Sequence, residues 1–245
     1  MGEYDSYLIS GLPIRWQGEK IHQPSIKEIL EYGESEFSNL ATPFVLTKEL
    51  LGVPEDDTEF SMYAYVLYIT HFREAFFDAL SFFMKIDKEE DIKIYQSENN
   101  EAIIVIKERT MITKENFDEL GDIVLKICMM KRQKPEKMPE FKNDRQRDIY
   151  MKIMEGRRRK SAEESMSLAD IINSVCHGGK SFIPYREVIE MTMYQLYNSF
   201  GSIITMDTYD REYRQYIGGA DPEDLDIKIH WSQKLKINNK AEEAL

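Results

Sequence analysis

Residues 60–84, FSMYAYVLYITHFREAFFDALSFFM, form the most apolar region of the chain. Phe72, Phe76, Ala79 and Phe83 recur at i, i+4, i+7 and i+11, one face of a helix with about 3.6 residues per turn. Tyr65, Phe77, Leu80 and Phe82 widen the apolar surface beyond one stripe, so the spacing predicts one long, central helix from Phe60 to Met84. Its uncharged part ends at Arg73 and Glu74, well short of the ~18–20 residues that a membrane-spanning helix needs. It reads as a buried helix of a mainly α protein.

Upstream, short apolar runs separated by glycine turns predict strands. Tyr7-Leu8-Ile9 and Leu12–Trp16 flank Ser10-Gly11, and Gln17-Gly18-Glu19 turns the chain into Lys20–Gln23. Pro13 confines its strand to an edge. Ser25 and Glu28 form an S-x-x-E capping box, so a helix should start there and turn Ile26, Ile29 and Leu30 inward, with Gly33 and Pro43 as its limits. From Thr42 to Asp57, Pro43, Gly52, Pro54 and three consecutive acids predict a loop with at most a short helical turn.

Downstream, Ile92, Ile94 and Ala102–Ile106 are rich in β-branched residues and flank Ser97–Asn100, which predicts a second hairpin near 92–106. Thr113 caps a helix with Phe117, Leu120, Val124, Ile127 and Cys128 on one face, ending near Lys131. The segment 132–143, with Pro135 and Pro139, reads as a linker between an N-terminal lobe, 1–131, and a helical C-terminal lobe, 144–245. In the second lobe Asn143 caps a polar helix running to about Ser161, and Ser167 with Asp170 caps a shorter one. His177-Gly178-Gly179 stops that helix through a left-handed glycine, and Pro184 suits the first position of the next. Thr192 with Gln195 opens a helix carrying Met193, Leu196, Tyr197 and Phe200, and Gly218-Gly219 ends it.

Composition narrows the function class. The 245 residues carry 44 Asp plus Glu against 32 Lys plus Arg, a formal balance of −12. Hydrophobic residues make up 42%, which excludes a disordered chain. Two cysteines, Cys128 and Cys176, exclude a disulfide scaffold and suit a reducing compartment, and with four scattered histidines they exclude a zinc finger. The acidic start, Met1–Ser6, is unlike a basic signal-peptide n-region, and although Gly2 with Ser6 fits a myristoylation pattern, the two acids inside it argue against membrane anchoring.

No catalytic, cofactor-binding or metal-binding constellation emerges. Cys176 and His177 are neighbours on a helix and point about 100° apart, so they cannot work as nucleophile and base. Gly179-Lys180-Ser181 carries the last letters of a P-loop, but Ser174 stands where its first glycine belongs and a helix, not a strand, precedes it. The feature with weight is charge. Between Lys126 and Lys160 stand 13 Lys or Arg and 5 Asp or Glu, a balance of +8 that leaves −20 on the other residues. The polar helix in this region has a thin apolar stripe, Ile149 and Ile153 with Tyr150 and Met154. Such a helix buries too little to pack firmly alone, which suits either a partner-binding helix or an ordinary peripheral one. The candidate partner-binding residues are Arg145, Ile149, Tyr150, Ile153, Arg157, Arg158, Arg159 and Lys160. A nucleic acid held through 131–160 is the alternative, opposed by the scarcity of aromatics there and by the acidic remainder of the chain.

The second half also resembles a known family. It contains Phe141–Arg147, Leu168-Ala169-Asp170-Ile171-Ile172, His177–Ser181 with Ile183-Pro184-Tyr185, Met191–Leu196 and His230-Trp231-Ser232. The first half adds Pro24–Ile29 and Ile112–Phe117. This pattern is similar to that of tail-assembly chaperones, or minor tail-assembly proteins, of long-tailed phages and prophages of Gram-positive bacteria. The resemblance implies a non-catalytic protein in the host cytoplasm, without cofactor, that binds the tape-measure protein and tail-tube subunits, and it leaves room for self-association. The 13 Met and 28 aromatic residues suit adaptable protein contacts. The expectation is therefore a mainly α protein with an N-terminal hairpin and a second near 92–106, acting by binding.

Overall fold

A computed structural model describes residues 4–54, 56–97, 101–132, 139, 141, 143–164, 166–221, 225, 230 and 232. The chain is mostly helical, with two small antiparallel sheets, as the sequence predicts. The first element departs from expectation. Tyr7–Ile9 lies in helix α1 (Asp5–Ser10), not in a strand. Asp5 and Leu8, three apart, are its buried residues, and Gly11 closes it at φ 69°, donating its N–H to the carbonyl oxygens of Leu8 and Tyr7. The hairpin proper is β1 (Ile14–Trp16) with β2 (Glu19–Ile21), in the register Ile14 opposite Ile21. Gln17 and Gly18 both take positive φ, 47° and 90°, which matches the right-handed twist of the strands.

Helix α2 (Ile26–Tyr32) carries the expected capping box: Glu28 N donates to Ser25 Oγ at 3.2 Å, and Ser25 N donates to Glu28 Oε2 at 2.9 Å. Gly33, at φ 108°, ends it. Helix α3 (Glu34–Leu40) follows at once and buries Phe37 and Leu40, and α4 (Thr42–Val45) buries Pro43 and Phe44. A 3-10 turn at Glu49–Leu51 completes the loop region.

The long helix expected over 60–84 is two helices, α5 (Met62–Tyr68) and α6 (Thr70–Met84), parted by Ile69 in an extended conformation. On a straight helix Tyr63 would point roughly 140° away from Phe76, at about 100° per residue. The break lets both reach one ring: Tyr63 and Phe76 lie 5.6 and 5.5 Å from Phe117.

A short helix, α7 (Lys88–Asp91), leads into β3 (Ile92–Gln96), which pairs with β4 (Ala102–Ile106) as predicted. A third strand, β5 (Thr110–Ile112), extends this sheet in the order β3-β4-β5. Its turn uses Lys107 and Glu108 at φ 49° and 59°, residues that carry no turn signal. Helix α8 (Phe117–Ile127) starts after Asn116 rather than at Thr113, and Asn116 Oδ1 reaches back to accept from Thr113 N at 2.9 Å across the preceding turn. It stops short of Lys131, since Met129 takes the left-handed conformation at φ 55°.

Residues 133–138, 140 and 142 of the expected linker lie outside the described residues. Among the described residues, four helices follow: α9 (Asp144–Glu164), α10 (Leu168–His177), α11 (Tyr185–Val188) and α12 (Met193–Ile217). The capping boxes at Ser167/Asp170 and Thr192/Gln195 are both formed. Gly178 caps α10 at φ −80°, not left-handed; a Cβ there would stand 2.6 Å from Ser174 O, so space explains this glycine. Pro184 is the cap of α11 rather than its first residue. One hydrophobic cluster joins Phe37, Phe44, Phe76 and Phe117 to Ile171, Val175, Leu196 and Phe200. Backbone bonds also cross this seam, from Ile26 N to Met191 O and from Lys27 N to Ile189 O, each 2.8 Å.

Candidate partner-binding site

Helix α9 is the longest element apart from α12, and among the described residues it contributes nothing to the hydrophobic cluster or to the apolar side chains packed against it. Asn143 Oδ1 accepts from Gln146 N at 2.9 Å and caps its start. Beyond the cap, two of its apolar side chains are half-buried. Tyr150 is half-buried with its ring 5.3 Å from Phe141, and Met154 is half-buried as well. Ile149 and Ile153 are 50% and 49% exposed, and Met151 is exposed beside them. The helical repeat aligns Ile149, Ile153, Gly156 and Lys160 along one line, with Arg145 and Arg157 on its flanks.

The eight candidate residues thus share one helix but not one environment. Arg145, Arg157, Arg159 and Lys160 are exposed, Ile149 and Ile153 form the outward apolar pair, and Tyr150 faces Phe141. The side chain of Arg158 lies outside the described residues. An exposed isoleucine pair within a basic frame can seat against the apolar stripe of another helix while its cations meet acids at the rim. It can also meet phosphates, but part of the local positive charge is already committed to the protein itself. Arg132 bonds Asp118 Oδ1 at 2.8 Å and Asp122 Oδ1 at 2.9 Å, both on α8, and Lys126 sits 5.9 Å above the ring of Tyr4.

The cysteines and His177 have clear structural contacts. Cys128 and Cys176 are buried free thiols, and burial pushes both pKa values up. His177 Nε2 lies 3.1 Å from Tyr185 Oη, which donates to Asn173 Oδ1 at 2.7 Å, and this pins the end of α10 to α11. Among the described residues no three His, Cys, Asp or Glu come together as metal ligands, and no helix is long and apolar enough to cross a membrane. The sequence did not reveal a polar cleft beside α1, α2 and α12, because its lining comes from three distant segments.

With this geometry in view, comparison with known families bears on the C-terminal third. Residues 158–236 match the family model of the YomV second domain. YomV is a Bacillus prophage protein of uncertain role. The YomV-like segment begins in the last turns of α9 and takes in α10, α11 and α12. Comparison with curated proteins and with solved structures gives no match.

Proposed function

We propose that this protein is a non-catalytic tail-assembly factor of a phage or prophage, which holds the helical tape-measure protein through α9 while tail-tube subunits assemble. One observation carries the reading: a helix of 21 residues stands outside the core with Ile149 and Ile153 half exposed in a basic frame. A helix with an exposed apolar pair that, among the described residues, adds nothing to the core favours a helix-to-helix contact. The YomV-like segment supports a prophage setting, and the residue patterns shared with tail-assembly chaperones support the client. Co-expression with the tape-measure protein of the same phage, followed by size-exclusion chromatography in moderate salt, tests the proposal. Co-elution is expected, with the tape-measure protein insoluble alone and with Ile149→Asp/Ile153→Asp abolishing the complex. Separate elution, with the client precipitating, would remove the proposal's support.

The run Arg157-Arg158-Arg159-Lys160 favours a second reading, phosphate contact with nucleic acid. That reading expects DNA affinity to fall steeply between about 50 and 200 mM salt. Binding that is absent at the lower salt would end it.

A further inference from the structure

We infer that the free edge of β3 is a pairing site for the β3 strand of a second copy of this chain. The sheet runs in the order β3-β4-β5, so β3 (Ile92–Gln96) has a strand neighbour on one side only. Its side chains from Lys93 to Gln96 are all exposed, Ile94 at 55% and Tyr95 at 52%. In an antiparallel pair, alternate residues exchange bonds with the neighbour and the others point theirs away. Lys107 N donates to Asp91 O at 2.9 Å, and Ser97 N donates to Glu101 O at 2.8 Å. Asp91 and Ser97 are thus bonded across the hairpin, and with the unbroken register between them so are Lys93 and Tyr95. Ile92, Ile94 and Gln96 turn their backbone N–H and C=O groups to the open side. Among the described residues no other segment bonds to these groups.

Symmetry selects the occupant. The outward residues are spaced evenly about Ile94, so a two-fold axis there sets Ile94 opposite Ile94 of the second copy and Ile92 opposite its Gln96. Each of these pairs then exchanges both N–H···O=C bonds, and the two sheets join into one. On the other face the same axis puts Lys93 opposite Tyr95 of the second copy, an ammonium beside an aromatic ring. No like charges meet within the strand. An axis at Lys93 would set two ammoniums face to face, and one at Tyr95 would leave Ile92 without a strand partner. Edge strands are commonly guarded by a proline, a bulge or an uncompensated lysine. β3 has no proline and no bulge, and the charge of Lys93 is met by Glu108 at 2.6 Å. A strand of another protein would meet the same backbone groups, but the symmetry about Ile94 favours this chain's own. The site does not depend on the role assigned to α9.

Sedimentation of the full chain over about 1 μM to 1 mM, a span that covers weak to moderate dimers, tests the site. The mass is expected to rise from that of one chain to that of two. Ile94→Lys places two ammoniums on the axis and should weaken the dimer by about tenfold or more. Its side chain is exposed, so the variant should keep the melting temperature of the parent. Ile149→Asp/Ile153→Asp should leave the dimer as it is, which separates this edge from α9. Ile94→Cys reads the register. Residues opposite each other in a bonded pair stand about 5.5 Å apart at Cα, within disulfide range, so oxidised glutathione should link the introduced thiols of two copies. Cys128 and Cys176 are buried and should not take part. A chain that stays single up to about 1 mM would overturn the assignment and leave the edge to a strand of another protein. A dimer of full affinity in Ile94→Lys, or one in which Ile94→Cys forms no link, would overturn it too and place the contact elsewhere.

Discussion

Two helical glycines differ in what surrounds them, and the same substitution should act on them with opposite sign. A Cβ at Gly121 of α8 would stand 3.0 Å from Cδ1 of Phe44, a buried ring stacked on Phe117. Gly121→Ala should therefore overpack this junction and cost about 1–3 kcal/mol. A Cβ at Gly156 of α9 meets nothing within 4 Å, so Gly156→Ala should gain up to about 1 kcal/mol of local helix stability. Urea unfolding reads the first change, and hydrogen exchange along α9 reads the second. The cysteines give another expectation at this scale. Both are buried, with thiolate formation pushed to high pH, so the native protein should resist iodoacetamide at neutral pH and react once unfolded. Rapid labelling of Cys176 in the native state would show that the end of α10 opens.

The start of α2 couples an element to pH. Burial alone would raise the pKa of Glu28, but the backbone N–H of Ser25 and the Lys85 ammonium outweigh it and hold the carboxyl below its ordinary value. Next to the helix, burial lowers the pKa of His22, and Lys85 and Lys20 add to this against a smaller opposing pull from Glu28. Both groups thus bind protons less readily in the folded state than in the unfolded one. Their contributions are full above the unfolded values, 6.5 for His22 and 4.5 for Glu28, and are lost as pH falls through the lowered folded values. Urea midpoints should decline on acidification, and Glu28→Gln should flatten the limb below about pH 4.5. An unchanged limb would mean that the capping box is not closed in solution. This cap also marks what was legible. Ser25/Glu28, Ser167/Asp170 and Thr192/Gln195 are local signals, and all three form. The break at Ile69 was not legible, because it serves Phe117, a distant residue that both Tyr63 and Phe76 must reach. Strand β5 was hidden for another reason: its turn places Lys107 and Glu108 at positive φ, where glycine or asparagine would have given it away. Of the surfaces proposed for binding, α9 could be picked out from its charge and thin apolar stripe. The sequence could not expose the cleft at Gln23, which exists once Thr192 lies beside Ser25.

For the whole molecule, the question is how far stability and binding can be separated. The hydrophobic cluster draws on both ends of the described chain, from Leu8 to Phe200, while α9 adds none of its described side chains to it. Cooperative unfolding should therefore follow the cluster and be nearly blind to α9. Arg157→Glu/Arg158→Glu/Arg159→Glu reverses three charges on a helix that the body of the protein does not need for its core. Substitutions on a helix outside the core typically cost about 0.5 kcal/mol or less each, so the melting temperature should move by a few degrees at most. The charge reversal should nonetheless abolish the complex with an acidic or phosphate-bearing partner, since the attraction at the rim of α9 becomes repulsion. Calorimetry and co-elution on the same variant separate the two effects. A melting temperature lowered by ten degrees or more would place α9 within the cooperative core and make its exposed isoleucines part of folding rather than of recognition. An unchanged melting temperature with the complex intact would keep the core assignment and move recognition to Ile149 and Ile153, where apolar contact, not charge, would then decide the affinity.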